Sequence, residues 1–600
     1  MHKSEIEFRK KDLLISPTIF FVLVIPFLVR MIELKYPVYR TLWSNNQPVN
    51  INIFTALKGY GVILIFILSL IVLILNKKDI KYTLYNKYDK LLTVSVIFII
   101  ISTLLSEYKY IALWGYKGRI EGLFVLISYL FLAYYTSKFY IDKKHFGFFN
   151  LTIYFLGLGL GIFGLLQAFG HDPFQMTWIQ NLILKSGYTS ESLNFKMPDG
   201  RVYMTLFNPN YVGSFVTLIS GFTLNNIIRN EKIIKKIFWS ILFTILLICL
   251  IKSGSEAGLV GLIFIILSTI VINYKYIYNR KKSIAIILIV FVIAISSLFQ
   301  NKDFNKYIKS FKNSFKELTT QRNQNLQLLE TEKNYLKIKY NNEKLLLIVN
   351  KESENGFVLI DDKTNEKKLK YNNKSKFYYP ISDKLKGIRV YPREFNNLQG
   401  YIVKFENRNF KFVFTKDKIW YLNSYNRGVN LKEVEYIEMF KGYEHIGSGR
   451  FYIWSRTIPL LRKTWLVGYG PDNFVYNFPQ MDYVGKNRSN LYMVNTIVDK
   501  PHNMYLQYAV NIGVIPLLIL LAFWFMLLYE LFKIVKAEEL DDIYLTVAAA
   551  SFSAIIGFMA VGMFNDSTVN VSTIFWGIVG LGLAVVNYNR YDHYKFKSDN

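Results

Sequence analysis

Apolar residues gather along this chain in stretches of about 18–22, the length that crosses a hydrocarbon core as a helix. The stretches lie near residues 14–32, 54–76, 91–107, 121–140, 148–169, 207–227, 237–252, 256–274, 284–299, 505–532, 544–564 and 571–588. Polar connections separate them. The pattern therefore predicts an all-α polytopic membrane protein with about twelve transmembrane helices.

The long segment from 300 to 503 breaks this pattern. Its first part, 300–344, predicts helix, because Phe304, Ile308, Phe311, Phe315 and Leu318 recur at helical spacing. Its second part, 345–440, predicts a small inserted β domain. The predicted strands are Leu345–Val349 and Phe357–Ile360 around a turn at Asn355-Gly356, then Tyr401–Phe405, Phe410–Phe414 and Ile419–Leu422. We accordingly divide the chain into helices one to nine (1–299), the helical segment, the β domain, a catalytic loop (441–503) and helices ten to twelve with a tail (504–600).

The distribution of basic residues predicts the orientation. If the N-terminus is cytoplasmic, the inner connections and both termini hold roughly two dozen Lys and Arg, against about nine in the short outer loops. Both termini are therefore expected in the cytoplasm and the 300–503 segment outside it. Only the four residues 252–255 separate spans seven and eight, so these two could be a re-entrant pair instead of two full spans.

Composition excludes several classes of protein. A net charge of +29 would suit a nucleic-acid partner. With 52% hydrophobic residues, however, the chain is predicted to span the membrane, and the basic residues of its cytoplasmic connections explain the charge. No nucleic-acid partner is therefore expected. Cys249 is the single cysteine, which excludes an intrachain disulfide. The chain has no D-x-D, H-E-x-x-H, P-loop or G-x-S-x-G motif. We expect neither a metal nor a cofactor.

The candidate chemistry lies on the predicted outer side. Of six histidines, His171, His445 and His502 lie outside, and His502 stands where the large segment returns to the membrane. An interfacial polar residue and a catalytic base are both open interpretations for His502.

Arginines form the second group of candidates. Arg119 and Arg201 lie at the outer starts of spans four and six, and Arg450 and Arg456 precede the return to the membrane. Arginine near hydrocarbon depth points to function, and guanidinium matches phosphate oxygens. The alternative is pairing with a nearby acid, Glu121 for Arg119 and Glu444 for Arg450.

Four motifs resemble the O-antigen ligase/polymerase superfamily of membrane glycosyltransferases of the C type. The first two are Lys117-Gly118-Arg119 before Glu121-Gly122-Leu123, and Arg201 followed by Thr205-Leu206-Phe207-Asn208-Pro209-Asn210. The others are Gly449-Arg450 with Trp454 and Trp465-Leu466-Val467-Gly468-Tyr469-Gly470, and His502-Asn503-Met504-Tyr505-Leu506-Gln507 with Asn511-Ile512-Gly513. The resemblance covers roughly 90–270 and 445–585. One departure is Glu256, where family members commonly carry arginine after a serine.

The resemblance implies transfer of a glycan from undecaprenyl pyrophosphate to a hydroxyl of a glycan, lipid or protein acceptor, on the outer face of the cell membrane. His502 would be the catalytic base, with inversion at the anomeric carbon. Arg201, Arg450, Arg119 and Arg456 would bind the diphosphate, and Asn503 and Asn210 would support the site.

Two questions stay open at the level of sequence. Ligase and polymerase use the same donor chemistry, so the motifs do not separate them. A transporter, such as a flippase of lipid-linked oligosaccharides, would also need arginines for a pyrophosphate. The outer segment of about 200 residues favours the transferase, because a transferase must also bind an acceptor there.

Overall fold

The computed structural model describes residues 14–76, 86–189, 200–279 and 325–598 apart from short gaps, with seven isolated residues between 305 and 321. The gaps are residues 38, 45–46, 141, 334, 350–356, 361–368, 396–397, 406–407, 416–417 and 490–495. The predicted span at 284–299, the helical seam from Phe304 to Leu318 and the turn at Asn355-Gly356 lie outside the described residues.

Helices dominate both ends of the chain. The N-terminal part contains α1 (Ser16–Phe27), α2 (Ala56–Leu75), α3 (Lys87–Leu104), α4 (Lys109–Trp114), α5 (Leu123–Phe139), α6 (Lys143–Ala168), α7 (Thr177–Ile183), α8 (Pro209–Arg229), α9 (Ile233–Ser253), α10 (Glu256–Ile272) and α11 (Tyr274–Asn279). The C-terminal part contains α12 (Ile446–Thr457), α13 (Phe474–Asn477), α14 (Tyr483–Arg488), α15 (Met504–Asn511), α16 (Val514–Ala537), α17 (Asp542–Val561) and α18 (Val569–Ser598). A hairpin of β1 (Ile32–Lys35) and β2 (Val49–Asn52) precedes α2.

Seven helices are long and apolar enough to cross a membrane: α2, α6, α8, α9, α16, α17 and α18. Three more, α1, α5 and α10, are apolar but shorter. The chain is therefore a mostly helical, multi-pass membrane protein, as predicted. The predicted spans within the described residues fall on helices, although 505–532 contains two, α15 and α16, with a break at 512–513. The total of twelve spans stays a prediction.

The first turn of helix α3 carries charged residues, and the structure shows how the buried one, Asp89, is accommodated. Asn86 and Asp89 form a reciprocal capping box at its start, which satisfies the first free backbone N–H groups. The Lys138 ammonium of α5 lies 2.9 Å from the Asp89 carboxylate, and both side chains are buried. A buried charge with a close partner of opposite sign can be retained in an apolar bundle.

Small residues let the helices around the later site approach closely. An added Cβ at Gly258 of α10 would lie 2.5 Å from the Gly213 Cα of α8. Close backbone approach through glycine is a common way of packing helices in membranes, where burial from water supplies little of the driving force.

The inserted domain consists of two antiparallel sheets. The four-stranded sheet contains β3 (Leu326–Thr331), β4 (Tyr335–Tyr340), β5 (Glu343–Val349) and β6 (Phe357–Ile360), in that spatial order. The seven-stranded sheet runs in sequence order through β7 (Leu369–Asn372), β8 (Phe377–Pro380), β9 (Ile388–Phe395), β10 (Leu398–Phe405), β11 (Arg408–Phe414), β12 (Ile419–Leu422) and β13 (Gly428–Val429). Apolar side chains of both sheets form one core between them.

The five strands predicted from sequence are confirmed, with longer bounds for most of them. Strands β3 and β4 lie within 300–344, where the sequence analysis predicts helix. In β4 the buried residues Leu336, Ile338 and Tyr340 alternate with half-buried positions, which is the two-residue period of a strand.

Hydrogen bonds tie the β domain to other parts of the chain. The Arg427 guanidinium, in the turn before β13, donates to the backbone carbonyls of Thr41 and Ser44 in the loop between β1 and β2. The Arg488 guanidinium at the end of α14 donates to the Gln327 carbonyl of β3. The domain is therefore held from two sides, by the β1–β2 loop and by α14.

Candidate functional site

His502 lies in a short loop that three neighbouring elements hold in place. The indole of Trp454 in α12 donates to the Pro501 carbonyl at 2.9 Å. The Asn503 side chain caps α15 by accepting from the Leu506 N–H at 2.9 Å, and its amide donates to the Met563 carbonyl at 3.0 Å. Asn503 therefore fixes the start of α15 against residue 563, and its supporting part in the site stays a prediction.

The backbone of His502 has a φ of 51°, in the left-handed region that non-glycine residues rarely occupy. Such a conformation is unfavourable for a β-carbon and persists where the surroundings fix it, which is typical of functional positions. Here it directs the imidazole toward the turn between α17 and α18.

Asp566, in that turn, is the closest acid to His502. Its carboxylate lies 3.5 Å from the His502 Nδ1 and 3.8 Å from the Lys500 ammonium. Only 1% of the Asp566 side chain is exposed. Sequence reasoning missed Asp566; the available signal was an acid in the short outer connection between the last two spans.

The surroundings of His502 favour a neutral imidazole. Burial, together with the cations Lys500 and Arg450, holds the pKa of His502 well below its usual range, and Asp499 opposes them only in part. About 31% of the side chain is nevertheless exposed, so the ring is open to a ligand from one side. A neutral imidazole whose Nδ1 faces a carboxylate can accept a proton at Nε2.

Arg450 reaches the same turn from α12. Its Nε donates to the Phe564 carbonyl at 3.2 Å and its Nη1 to the Gly447 carbonyl at 3.0 Å. The three residues that precede Arg450 are Gly447, Ser448 and Gly449, and all have left-handed φ values of 57–86°. Two of them are glycine, which adopts this conformation without steric cost. The Arg450 side chain is half-buried and lies within electrostatic reach of Asp566 and Glu256. The expected alternative partner, Glu444, instead faces Arg456 and Arg488.

Arg119 is buried and paired. Its Nε donates to the Asp472 carboxylate at 2.8 Å, and both side chains are 1% exposed or less. Its Nη1 donates to the Asp499 carbonyl at 3.0 Å. Arg119 therefore joins the 472 loop to the segment that leads into His502. The partner is not Glu121, the acid considered from sequence, which accepts from Tyr129 and Ser567.

Arg456 is also buried, at 3% exposure, and its Nε donates to Asp482 at 2.8 Å. Its Nη1 lies 4.0 Å from Glu444. Arg456 in α12 therefore lies beside two carboxylates, and its contact with Asp482, the residue before α14, holds α12 against α14.

Arg201 is exposed. The next residue, Val202, donates its backbone N–H to the Lys252 carbonyl at 3.3 Å, which places this segment beside the end of α9. No contact among the described residues joins Arg201 to His502. Asn210 takes part through its backbone, because its carbonyl accepts from the Asn565 amide at 3.0 Å, next to Asp566.

Residues 419–521 match the family model described as O-Antigen ligase. The match contains Arg450, Arg456, Asp472 and His502, and it ends before Asp566. No curated protein matches the chain. The match confirms the resemblance that the motifs indicate.

Proposed function

Residues 419–521 match the O-Antigen ligase family model, and on that basis we propose that the protein transfers a glycan from an undecaprenyl-pyrophosphate donor to a hydroxyl acceptor on the outer face of the cell membrane. The observation that carries this proposal is the convergence of His502, Asp566 and Arg450 at one partly open position. A base, a carboxylate that orients it and a cation for the leaving group are what this transfer needs.

In the proposed step, the His502 Nε2 takes the proton of the acceptor hydroxyl. The hydroxyl oxygen forms a bond to the anomeric carbon while the bond from that carbon to the diphosphate oxygen breaks. The lipid diphosphate leaves with the electron pair, and attack from the opposite face inverts the anomeric centre. Asp566 holds the imidazole and stabilises the imidazolium that forms.

The arginines differ in their proposed parts. Arg450 approaches the His502 turn with part of its guanidinium fork uncommitted to the two backbone carbonyls, which suits an anionic leaving group. Arg201 is exposed and available to the donor. Arg119 and Arg456 have buried carboxylate partners, so we assign them a positioning part rather than contact with the diphosphate. Fixed cations supply the charge stabilisation, so the proposal is metal-independent.

Substitution of the base tests the proposal. His502→Ala should leave membrane insertion intact and lower glycan transfer by about 10²–10⁴-fold, the range for general-base catalysis, with lipid-linked donor accumulating. The matched control is His171→Ala, which removes an exposed outer-side histidine and should leave transfer unchanged. Full transfer by His502→Ala would rule out the catalytic assignment.

Charge-conserving substitutions test the diphosphate part. Arg450→Lys and Arg201→Lys keep the positive charge but lose the planar fork that binds two phosphate oxygens together. Both variants should bind the lipid-linked donor more weakly. Donor affinity equal to that of the wild-type protein in both variants would argue against diphosphate binding at these positions.

The transfer has two possible products, and mass analysis of surface glycans in a deletion strain separates them. Long unligated chains on the lipid carrier indicate a ligase, and single repeat units indicate a polymerase. The runner-up function, a flippase of lipid-linked oligosaccharides, predicts instead that donor stays on the cytoplasmic face when the protein is removed.

A further inference from the structure

The seven-stranded sheet has one face in the domain core and one face turned away from it. Side chains alternate along β9, where Ile388 and Val390 are buried and Arg389 and Arg393 are exposed. The outer face is the side that carries Arg389, Tyr391 and Arg393, with the residues that the strand register places beside them.

The charged strand residues of this outer face are all positive. Its cations are Arg389, Arg393, Lys404 and Lys411 on three neighbouring strands, β9 to β11, and Lys370 on β7. Among the described strand positions, none on this face holds Asp or Glu. Arg389 stands directly opposite Lys404 in the register. Like charges placed opposite each other destabilise a sheet, so stability does not explain the arrangement.

The other sheet of the same domain shows the contrast. There Lys337 stands opposite Glu330, and the two side chains form an ion pair at 3.1 Å. An opposite-charge pair of this kind is the usual stabilising arrangement across strands. The four-stranded sheet therefore pairs a surface cation with an acid. On the outer face of the seven-stranded sheet, the described strand positions hold cations and no acid.

Aromatic rings lie between the cations of the outer face. The rings of Phe377 and Tyr391 are 5.3 Å apart, and the Arg389 guanidinium lies 5.2 Å from the Phe377 ring centroid. Trp420 extends the aromatic surface on β12 and is half-buried. Flat rings pack against the C–H faces of sugar rings, and guanidinium and ammonium groups bind carboxylates and phosphates.

We propose that the outer face of the seven-stranded sheet binds an acidic polysaccharide, a glycan chain that carries carboxylate or phosphate groups. The inference rests on the proposed function, because a glycan transferase must handle a growing or completed chain beside its site. Charge complementarity identifies the ligand as anionic, and the interspersed rings favour a glycan. An anionic membrane surface fits less well, because proteins lying on a membrane insert an apolar face flanked by cations, whereas here the cations lie within the face, among the rings.

Binding of a defined probe to the full chain tests the inference. The protein is placed in nanodiscs of zwitterionic lipid, and its affinity is measured for polygalacturonate, an acidic polysaccharide, and for dextran, a neutral one. The test variant is R389Q/R393Q, and the matched control is K337Q/K339Q, which removes two charges from the other sheet. R389Q/R393Q changes two exposed side chains and K337Q/K339Q two half-buried ones outside the domain core, so both variants should fold.

The expected result is binding of polygalacturonate but not of dextran, weakened by added salt. R389Q/R393Q should lower the affinity about tenfold, equivalent to about 1.4 kcal/mol, and the control should change it less than twofold. Unchanged affinity in R389Q/R393Q would overturn the inference, as would equal binding of dextran. A variant that loses binding to phosphatidylglycerol vesicles while keeping polygalacturonate would assign the face to the membrane instead.

The inference and the proposed function fail in different measurements. If His502→Ala keeps full transfer, the proposed function is lost while the polygalacturonate result stands. If R389Q/R393Q binds polygalacturonate as the wild type does and transfer still depends on His502, only the outer-face inference is lost.

Discussion

Asp472 is fully buried and accepts hydrogen bonds from three groups of the neighbouring loop. The Arg119 Nε lies 2.8 Å from its Oδ1, and the backbone N–H groups of Tyr116 and Glu121 donate to its Oδ2 at 2.8 and 2.9 Å. Asp472→Ala would leave the Arg119 charge buried without this carboxylate and would also remove the acceptor for two N–H groups.

The magnitude follows from this geometry. Removing one partner of a buried ion pair costs about 3–5 kcal/mol, and each orphaned buried donor adds roughly 1–3 kcal/mol. Because these contributions are not additive, we expect a loss of at least about 3–5 kcal/mol in the free energy of unfolding. Arg119→Gln should cause a loss of similar size. The double variant R119M/D472L should recover part of it, since no charge is then left unpaired.

The assay is unfolding of the purified protein in mixed micelles with increasing SDS. The matched control is Asp383→Ala, which removes an exposed carboxylate and should change the unfolding free energy by less than about 0.5 kcal/mol. If Asp472→Ala unfolds within about 1 kcal/mol of wild type, the positioning part assigned to Arg119 is refuted. If Arg119→Gln has normal stability but binds the donor more weakly, Arg119 contacts the diphosphate, as the sequence predicted.

Three further predictions concern pH, a buried charge and helix packing. Burial, Lys500 and Arg450 lower the pKa of His502, so its neutral form persists as the pH falls below 6.5. Transfer should therefore stay constant from pH 7.5 to 6.5. Lys500→Met removes one cause of the lowered pKa and should move the acid limb of the pH–rate profile to higher pH. Asp89→Ala should lower the free energy of unfolding by about 3–5 kcal/mol, measured by SDS titration, because Lys138 keeps a buried charge. Gly258→Leu should lower the yield of folded protein in size-exclusion chromatography, since its side chain meets the backbone of α8.

Each of these three predictions has an outcome that would contradict it. A profile for Lys500→Met that matches wild type would remove Lys500 as a cause of the lowered pKa. Wild-type stability of Asp89→Ala, or normal yield of Gly258→Leu, would show that the corresponding contact contributes little to the fold.

The sequence by itself determined the membrane character and the position of the helices, because long apolar runs and the cost of unpaired backbone in lipid allow few other structures. It also determined five strands of the insertion, which are rich in aromatic, aliphatic and β-branched residues, but it missed β3 and β4. The motifs around Arg450 and His502 indicated a resemblance to the O-antigen ligase family, which the family-model match at residues 419–521 supports.

The tertiary structure decided what surrounds each candidate. Arg119 and Arg456 were grouped with Arg450 from sequence because all are arginines on one side of the membrane. The fold places Asp472 beside the first and Asp482 beside the second, while Arg450 alone reaches the turn of Asp566. Charge pairing depends on the distance in space between residues that lie 353 and 26 positions apart in these two pairs, and a linear pattern does not contain that distance. Asp566 itself, 64 residues after His502, became part of the site only where α17 and α18 bring their connection back to the same loop.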